Sequence, residues 1–181
     1  VCLGAGITNK NMELPVETIV ENKKLRKDGS NQFLVNGEKT DIPVKEANVK
    51  ELVKRSVDVS GRCFERVSWA HLEGNQSAGT GYYFPEEQEV NILREIRTGD
   101  WNNMSIKTDG KSYKGMYLTM WIKHGKKAKD GSYEYIVIPK CNEEEIKDYY
   151  RKSGIRVIEN SDSIQCVKKN GITGIVFLKD K

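Results

Sequence analysis

The 181-residue chain contains two histidines, His71 and His124. Histidine is the residue type that most often carries acid–base chemistry or binds a metal. A histidine-based metal site needs further ligands at defined spacing, such as a second histidine one helical turn away, and neither histidine has one. The Gly-x-Ser-x-Gly motif of serine nucleophiles is also absent. We therefore predict no catalytic residue and no metal site within these residues.

Carboxylates and glycines indicate no further reaction centre. Glu86 and Glu87 are neighbours on a predicted strand, where successive side chains point to opposite faces. Glu143–Glu145 begin a predicted helix, whose dipole explains their position. Gly4-Ala5-Gly6 lacks the third glycine of a dinucleotide-binding loop, because Asn9 occupies that position, and we expect it to bend a strand. No cofactor is predicted.

The four cysteines are too widely spaced to form a Cys-x-x-Cys metal or redox motif. A chain of this length buries enough surface to fold without disulfides. We therefore expect buried free thiols rather than disulfide bonds. The residues are Cys2, Cys63, Cys141 and Cys166.

Two lysine-rich segments, Lys23–Lys27 and Lys123–Lys127, are the clearest binding features, and Lys129 follows the second. The formal net charge is +4, from 30 Lys and Arg against 26 Asp and Glu. This excess is compatible with an acidic polymer but too mild to predict a nucleic-acid partner. The second segment crowds a turn between two predicted strands, and the alternative is an ordinary hydrated turn. Our candidate substrate-binding residues are Lys123, Lys126, Lys127 and Lys129.

Aromatic residues concentrate in the first 140 positions, where they either stack on sugar rings or fill a core. Core packing is the expectation for any single strand aromatic. An exposed coplanar row of rings favours a carbohydrate platform, whereas burial favours a structural role. The residues concerned are Trp69, Trp101, Trp121, Tyr82, Tyr83, Tyr133 and Tyr135.

Alternating and β-branched residues predict a mainly β chain, an antiparallel β-sandwich. Asn36-Gly37 predicts a tight hairpin turn. Bulky residues on both faces of 115–122 and 132–138 indicate a sheet that is covered on both sides. No run approaches the roughly 20 apolar residues of a membrane helix. Strands are predicted at 15–21, 33–35, 62–69, 81–85, 88–97, 101–107, 115–122 and 132–138, with a possible short helix at 45–54.

The character of the sequence changes after Pro139, where a helix is predicted over 143–152. Asn142 is its N-cap, and Glu145 stands in the capping-box position. Short strands at 155–159, 163–168 and 172–178 follow. We place a domain boundary near residue 140, giving units 1–140 and 141–181. The apolar beginning at Val1 is expected to be the cut end of a longer chain.

Several blocks together resemble polysaccharide lyase family eight, the chondroitin AC, chondroitin ABC, hyaluronan and xanthan lyases. Trp69–Phe84, which contains Gly79-Thr80-Gly81-Tyr82, resembles the family's Trp…Gly-x-Gly-Tyr block. Trp121–Gly125 and Tyr133–Pro139 resemble its His-Gly turn and the Tyr-x-Tyr-x-x-x-Pro block that follows. Val1–Ile7 is similar to a strand of the central β domain, and Ile172–Phe177 to the opening of the C-terminal sandwich. The blocks follow the family's order along nearly the whole chain.

The resemblance implies that 1–140 is the C-terminal part of the central β-supersandwich domain and that 141–181 begins a smaller C-terminal β-sandwich. It implies a secreted or periplasmic lyase that cleaves uronic-acid-containing polysaccharides, such as chondroitin sulfate or hyaluronan, by β-elimination. In the family the catalytic Asn, His, Tyr and Arg belong to an N-terminal α/α toroid, and a further glutamate lies earlier in the central domain. No catalytic residue is therefore assigned here, and this portion alone is expected to be inactive.

The expected partners are an acidic polysaccharide and the toroid of the same enzyme, with no nucleic acid and no membrane. Two alternatives remain open from the residues themselves. One is a stand-alone carbohydrate-binding module, and the other is a purely structural or adhesive β-sandwich without affinity for sugars. Exposure or burial of the aromatic rings distinguishes them.

Overall fold

The computed structural model describes residues 1–10, 13–47, 61–76, 78–100 and 111–178. Within these ranges the chain is mostly β-strand and contains one helix, α1 (Glu143–Lys152). The strands are β1 (Cys2–Ile7), β2 (Val16–Lys24), β3 (Phe33–Val35), β4 (Glu38–Lys39), β5 (Val44–Ala47), β6 (Arg62–Leu72), β7 (Gly79–Asp100), β8 (Ser112–Gly125), β9 (Gly131–Cys141), β10 (Arg156–Asn160), β11 (Ile164–Lys169) and β12 (Ile172–Phe177).

The long strand β7 organises the larger sheet. Its beginning, Gly79–Tyr83, pairs with β9 on one side and β6 on the other, whereas Asn91–Asp100 pairs with β8. β8 in turn pairs with β2, and β9 with β1. One strand thus belongs to two groups of partners, so the nine-stranded sheet folds over on itself as a sandwich.

The main core lies between these two groups. Leu118, Met120 and Ile122 of β8 contribute one wall, and Tyr82 and Phe84 of β7 contribute part of the other. All five side chains are almost completely shielded from solvent. The inward set on β8 is the alternating set that the sequence predicts for a half-buried strand.

A second, smaller cluster covers the opposite face of β6, β7 and β9. Ile146 of α1 is fully buried there against Trp69 and Tyr83. A Cβ atom on Gly81 would lie 3.0 Å from the Ile146 Cδ1 atom, so the glycine allows the helix to approach the sheet closely. The predicted cover on both sides is therefore present at 132–138, where Ile136 and Ile138 belong to this cluster and Tyr135 to the main core.

Two local signals specify the structure that forms. Asn36 and Gly37 both adopt positive φ, 51° and 91°, in the two-residue turn between β3 and β4. The Asn142 Oδ1 atom accepts from the Glu145 amide at 2.9 Å, and the Asn142 amide donates to Glu145 Oε2 at 2.7 Å. The predicted hairpin and capping box are confirmed.

Three predicted elements differ from the structure. The separate strands 81–85 and 88–97 form the single strand β7, because Pro85 lies in the irregular stretch between the paired residues Tyr83 and Gln88 and removes no ladder hydrogen bond. Residues 45–47 of the possible helix 45–54 belong to β5, which pairs parallel with β7 and so departs from a purely antiparallel sheet. The rest of that helix, and the strand 101–107, lie outside the described residues.

Strands β10, β11 and β12 form a separate three-stranded sheet. The Asn160 Nδ2 atom joins it to the larger sheet by donating to the carbonyl oxygens of Gly4, at 3.2 Å, and Tyr133, at 3.0 Å. Sheet membership changes after β9, at the predicted boundary near residue 140, although α1 packs back on the larger sheet. The division into 1–140 and 141–181 stays a prediction.

Candidate polyanion-binding site

The connection between β8 and β9, residues 126–130, carries three of the four candidate lysines. Lys126, Lys127 and Lys129 are exposed, whereas the Ala128 side chain between them is buried. Because the Ala128 side chain is buried, the lysines on either side of it point toward solvent. We call residues 126–130 the lysine turn.

The lysine turn is held from the loop that follows β1. The Asn9 amide donates to the Ala128 carbonyl oxygen at 2.9 Å, and the Asn9 Nδ2 atom donates to the Lys126 carbonyl oxygen at 2.9 Å. A longer bond of 3.4 Å runs from the Asp130 amide to the Thr8 hydroxyl oxygen. Backbone atoms on both sides of Lys127 are therefore fixed, and its ammonium group extends from an anchored chain.

His124 supports the base of the turn. Its Nε2 atom lies 2.8 Å from the Thr18 hydroxyl oxygen, and its ring lies 6.5 Å from that of Tyr133. Burial lowers the pKa of His124, because the half-buried site disfavours the charged imidazolium. The ring is therefore neutral at pH 7, and the positive charge of the site comes from lysines.

Lys123 lies apart from the other three candidates. It belongs to β8 itself, where it pairs with Glu17 of β2, so the two exposed side chains share one face of the sheet. Partial desolvation, and then Glu89, raise the pKa of the Cys63 thiol, whereas the charge of Lys123 lowers it. The structure thus groups Lys126, Lys127 and Lys129 and places Lys123 beside a carboxylate.

The lysines of the turn have no ion-pair partner among the described residues, although the exposed Asp130 at its end lowers the net charge of residues 126–130 to +2. No salt bridge in the described part of the chain involves Lys123, Lys126, Lys127 or Lys129. Exposed ammonium groups without protein partners remain available to carboxylates or sulfates of a polymer. Such groups can hold a polyanion through charge.

Other residues singled out in the sequence have structural positions. The buried His71 ring donates from Nε2 to the Cys141 carbonyl oxygen at 2.8 Å. Glu86 and Glu87 follow one another on β7, and Glu87 pairs with Arg66 at 2.6 Å. Within the described ranges, no three His, Cys, Asp or Glu side chains are grouped as metal ligands.

The cysteine thiols are free, as expected. Cys141 and Cys166 are buried, and Cys2 is half-buried. Cys63 is exposed, contrary to the expected burial. No helix in the described part of the chain is long and apolar enough to cross a bilayer.

The strand aromatics do not form a sugar platform among the described residues. Trp69, Trp121, Tyr82, Tyr83 and Tyr135 are all buried in the two core clusters or between strands. Tyr133 is half-buried, and Trp101 lies outside the described residues. Burial favours the structural role over an aromatic carbohydrate-binding surface.

Sequence reasoning missed the residues that hold the site. Asn9 and Thr8 lie more than 110 positions before the turn they contact. The sequence signal, a polar pair directly after the bent strand β1, indicates a turn but not its distant partner. The bend itself is confirmed, since the pairing of β1 with β9 shifts between Gly4 and Ile7 and Gly6 has a φ of 68°.

Comparison with known proteins extends along the whole chain. The chain is 31% identical over 186 residues to the xanthan lyase of Bacillus sp. (strain GL1), which covers 99% of this chain and 18% of that protein. It is 32% identical over 172 residues to the hyaluronate lyase HylB of Enterococcus faecalis, with 93% of this chain and 15% of that protein covered. It therefore spans less than a fifth of the length of these relatives.

The structure of Paenibacillus xanthan lyase superimposes with a TM-score of 0.83 at 30% identity, covering 99% of this chain and 16% of that one. The family model described as polysaccharide lyase family 8, super-sandwich domain, matches residues 1–150. On the evidence of this match, the chain belongs to polysaccharide lyase family 8.

Proposed function

We propose that this chain is a β portion of a secreted or periplasmic lyase that cleaves uronic-acid-containing polysaccharides by β-elimination. Its family membership and the names of its relatives, lyases of xanthan and hyaluronate, support this activity for the whole protein. Hyaluronate and chondroitin sulfate are both polyanions, which suits the basic character of the chain, with its pI near 8.8.

The role proposed for these residues is to support the cleft and to hold the acidic polymer. The observation that carries it is the lysine turn, where three exposed ammonium groups extend from a braced backbone without salt-bridge partners among the described residues. The reaction itself requires a base for the C5 proton and an acid for the leaving oxygen. We assign those tasks to an N-terminal α/α toroid of the same enzyme, and no catalytic residue to this chain.

The last part of the chain, 141–181, is proposed to begin a second, smaller β-sandwich. Strand β12 supports this proposal, because Ile172 and Phe177 are 77% and 71% exposed although they face opposite sides of the sheet. An apolar edge strand exposed on both faces is typical of a sheet that packs against further strands.

Activity of the 181-residue chain tests the assignment of catalysis elsewhere. Incubated with hyaluronan or chondroitin sulfate, it should release no unsaturated uronate product, which absorbs in the ultraviolet. Turnover at an enzyme-like rate, on the order of 1 per second, would overturn the non-catalytic role.

Charge reversal tests the polymer contact. The K126E/K127E variant should elute from a chondroitin sulfate resin at clearly lower salt than the unmodified chain, because two attractive charges become repulsive. Exposed ion pairs of this kind are weakened by salt, since charges are screened over about 8 Å at physiological ionic strength. The matched control is K39E/K168E, which changes the net charge equally at two exposed lysines outside both lysine-rich segments. Equal elution of the two variants would show that only net charge matters and would reject the lysine turn as a site.

A further inference from the structure

The braced backbone of the lysine turn is the feature from which a further inference follows. Asn9 makes two of the contacts, through its backbone amide to Ala128 and its side-chain amide to Lys126. The same Nδ2 group also donates to the Leu14 carbonyl oxygen at 2.6 Å. One asparagine therefore joins the loop after β1 to both ends of the Lys126–Ala128 segment.

Repulsion between neighbouring lysines disfavours an ordered turn, and the single carboxylate of Asp130 offsets it only in part. Three like charges within four residues favour an extended, mobile turn when nothing opposes them. Hydrogen bonds to the carbonyl oxygens on either side of Lys127 oppose that motion without neutralising any charge. A turn ordered before binding loses less conformational freedom when the polymer binds, so its affinity is higher at the same number of ion pairs.

The brace also brings a further cation to the site. Lys10 follows Asn9 directly and is exposed. Because Asn9 is bonded to the turn through both backbone and side chain, the backbone of Lys10 is close to the turn as well. An exposed lysine at this position can extend toward the same polymer although 116 positions separate it from Lys126.

We propose that Asn9 is a positioning residue for polyanion binding and that the binding surface is built from two loops, with Lys10 as its fourth cation. This inference rests on the proposed polymer contact of the lysine turn. Asn9 acts through the turn, whereas Lys10 pairs with carboxylate or sulfate groups directly. The two residues therefore affect different properties of binding.

The test measures the affinity of the 181-residue chain for chondroitin sulfate at a series of NaCl concentrations. Replacing Asn9 by Ala removes two donated hydrogen bonds and should weaken binding about fivefold at every salt concentration. The slope of log affinity against log salt should not change, because the number of ion pairs is the same. Lys10→Gln should lower that slope, by up to about one, since one ion pair is lost.

Asn75→Ala is the matched control, because the Asn75 Nδ2 atom donates to the Lys24 carbonyl oxygen in the other lysine-rich segment. Amide hydrogen exchange should become faster at 126–130 in Asn9→Ala and stay unchanged there in Asn75→Ala. Thermal unfolding of each variant shows that it is folded.

The outcomes separate this inference from the proposed function. If K126E/K127E weakens binding but Asn9→Ala binds like Asn75→Ala, the positioning role is wrong and the polymer contact stands. If Lys10→Gln leaves the salt slope unchanged, the two-loop surface is wrong. If K126E/K127E itself binds normally, the proposed contact fails and this inference fails with it.

Discussion

The two lysine-rich segments of the chain, the second taken together with Lys129, carry four Lys or Arg residues each but are used differently in the fold. In Lys23–Lys27, the Lys23 ammonium group donates to the Thr80 hydroxyl at 2.8 Å. Arg26 forms an ion pair with Glu73 at 2.9 Å and donates to the carbonyl oxygens of Gly74 and Asn75. In the lysine turn, no lysine has a salt-bridge partner among the described residues.

The difference lies in Lys23 and Arg26, whose cations are used within the fold, since Lys24 and Lys27 are exposed and, like the lysines of the turn, have no salt bridge among the described residues. A dense basic segment therefore offers free cations only where the fold leaves its charges unpaired. Glu73 lies 47 positions from Arg26, so the pairing could not be read from local charge patterns. Both segments are nevertheless fixed by an asparagine. Asn31, almost fully buried, accepts from the Arg26 amide, and Asn9, half-buried, donates into the lysine turn.

The largest effect is expected at the buried asparagine. The Asn31 side chain accepts from the Arg26 amide at 2.8 Å and donates to the Glu73 carbonyl and the Asn75 Oδ1 atom, both at 2.9 Å. Asn31→Ala removes three hydrogen bonds made by a buried side chain and should lower the free energy of unfolding by about 2–3 kcal/mol. Urea unfolding measures the loss, and chondroitin sulfate affinity of the folded variant should be unchanged.

A clear loss of polymer affinity in folded Asn31→Ala would contradict the division of roles, since it would place the first segment in the binding surface. For Asn9→Ala we expect the reverse pattern, a small decrease in the free energy of unfolding together with weaker binding of chondroitin sulfate. The pair of variants therefore tests the comparison from both sides.

The Arg26 segment should also respond to acid through Glu73. The Arg26 guanidinium, and then the Gln32 amide, lower the pKa of Glu73 below its usual range. Its contribution to stability is therefore present above the unfolded pKa, about 4.3, and is lost as the pH falls through the lower folded pKa. Glu73→Gln should be less stable than the unmodified chain at pH 7, and the difference should shrink as the pH falls below about 4.3 and through the lower folded pKa.

Urea unfolding at several pH values checks this expectation. Glu87→Gln is the control, because its partner Arg66 is 82% exposed and the pair contributes little. A constant difference between Glu73→Gln and the unmodified chain across the acid range would show that the pair with Arg26 does not stabilise the fold.

The same contrast between local and distant partners explains what the sequence could predict. The Asn142 capping box and the Asn36-Gly37 turn involve residues within three positions of one another, so their geometry follows from local chemistry. The inward residues of β8 follow from alternation. The lysine turn was found as a hairpin connection for the same reason.

Features that depend on distant partners could not be predicted. Pro85 indicates the end of a strand, but β7 continues because β6 bulges opposite it, at Arg66 with a φ of 53°. Likewise nothing near Asn9 indicates that it contacts the lysine turn. Strand alternation and the family resemblance both predicted the sandwich, whereas the separate position of Lys123 required the register of β2 and β8.

The lysine turn should respond to pH in a different range, through His124. Burial lowers the pKa of His124, so the unfolded chain takes up its proton first as the pH falls below about 7. The free energy of unfolding should therefore decrease modestly as the pH is lowered from about 7 to the folded pKa of His124. Below that pKa, His124 should cause no further change. Urea unfolding of His124→Gln should lack this decrease.

Polymer binding provides an independent readout of His124. An anionic chain beside the ring favours the imidazolium, so affinity for chondroitin sulfate should be higher at pH 5.5 than at pH 7.5, roughly twofold for one added exposed charge. The same ratio in His124→Gln would show that another group is responsible, because glutamine cannot titrate.

The smallest effect concerns the lysine that stands apart. Lys123 faces Glu17 across the β2–β8 pair, so part of its charge is already balanced, whereas Lys126 has no salt-bridge partner among the described residues. Lys126→Gln should weaken chondroitin sulfate binding about two- to threefold, and Lys123→Gln less than twofold, as expected for single exposed ion pairs. In a Glu17→Gln background the effect of Lys123→Gln should grow toward that of Lys126→Gln, because the competing carboxylate is gone. Equal losses for both lysines in the unmodified background would contradict the grouping and place Lys123 in the binding surface with the turn.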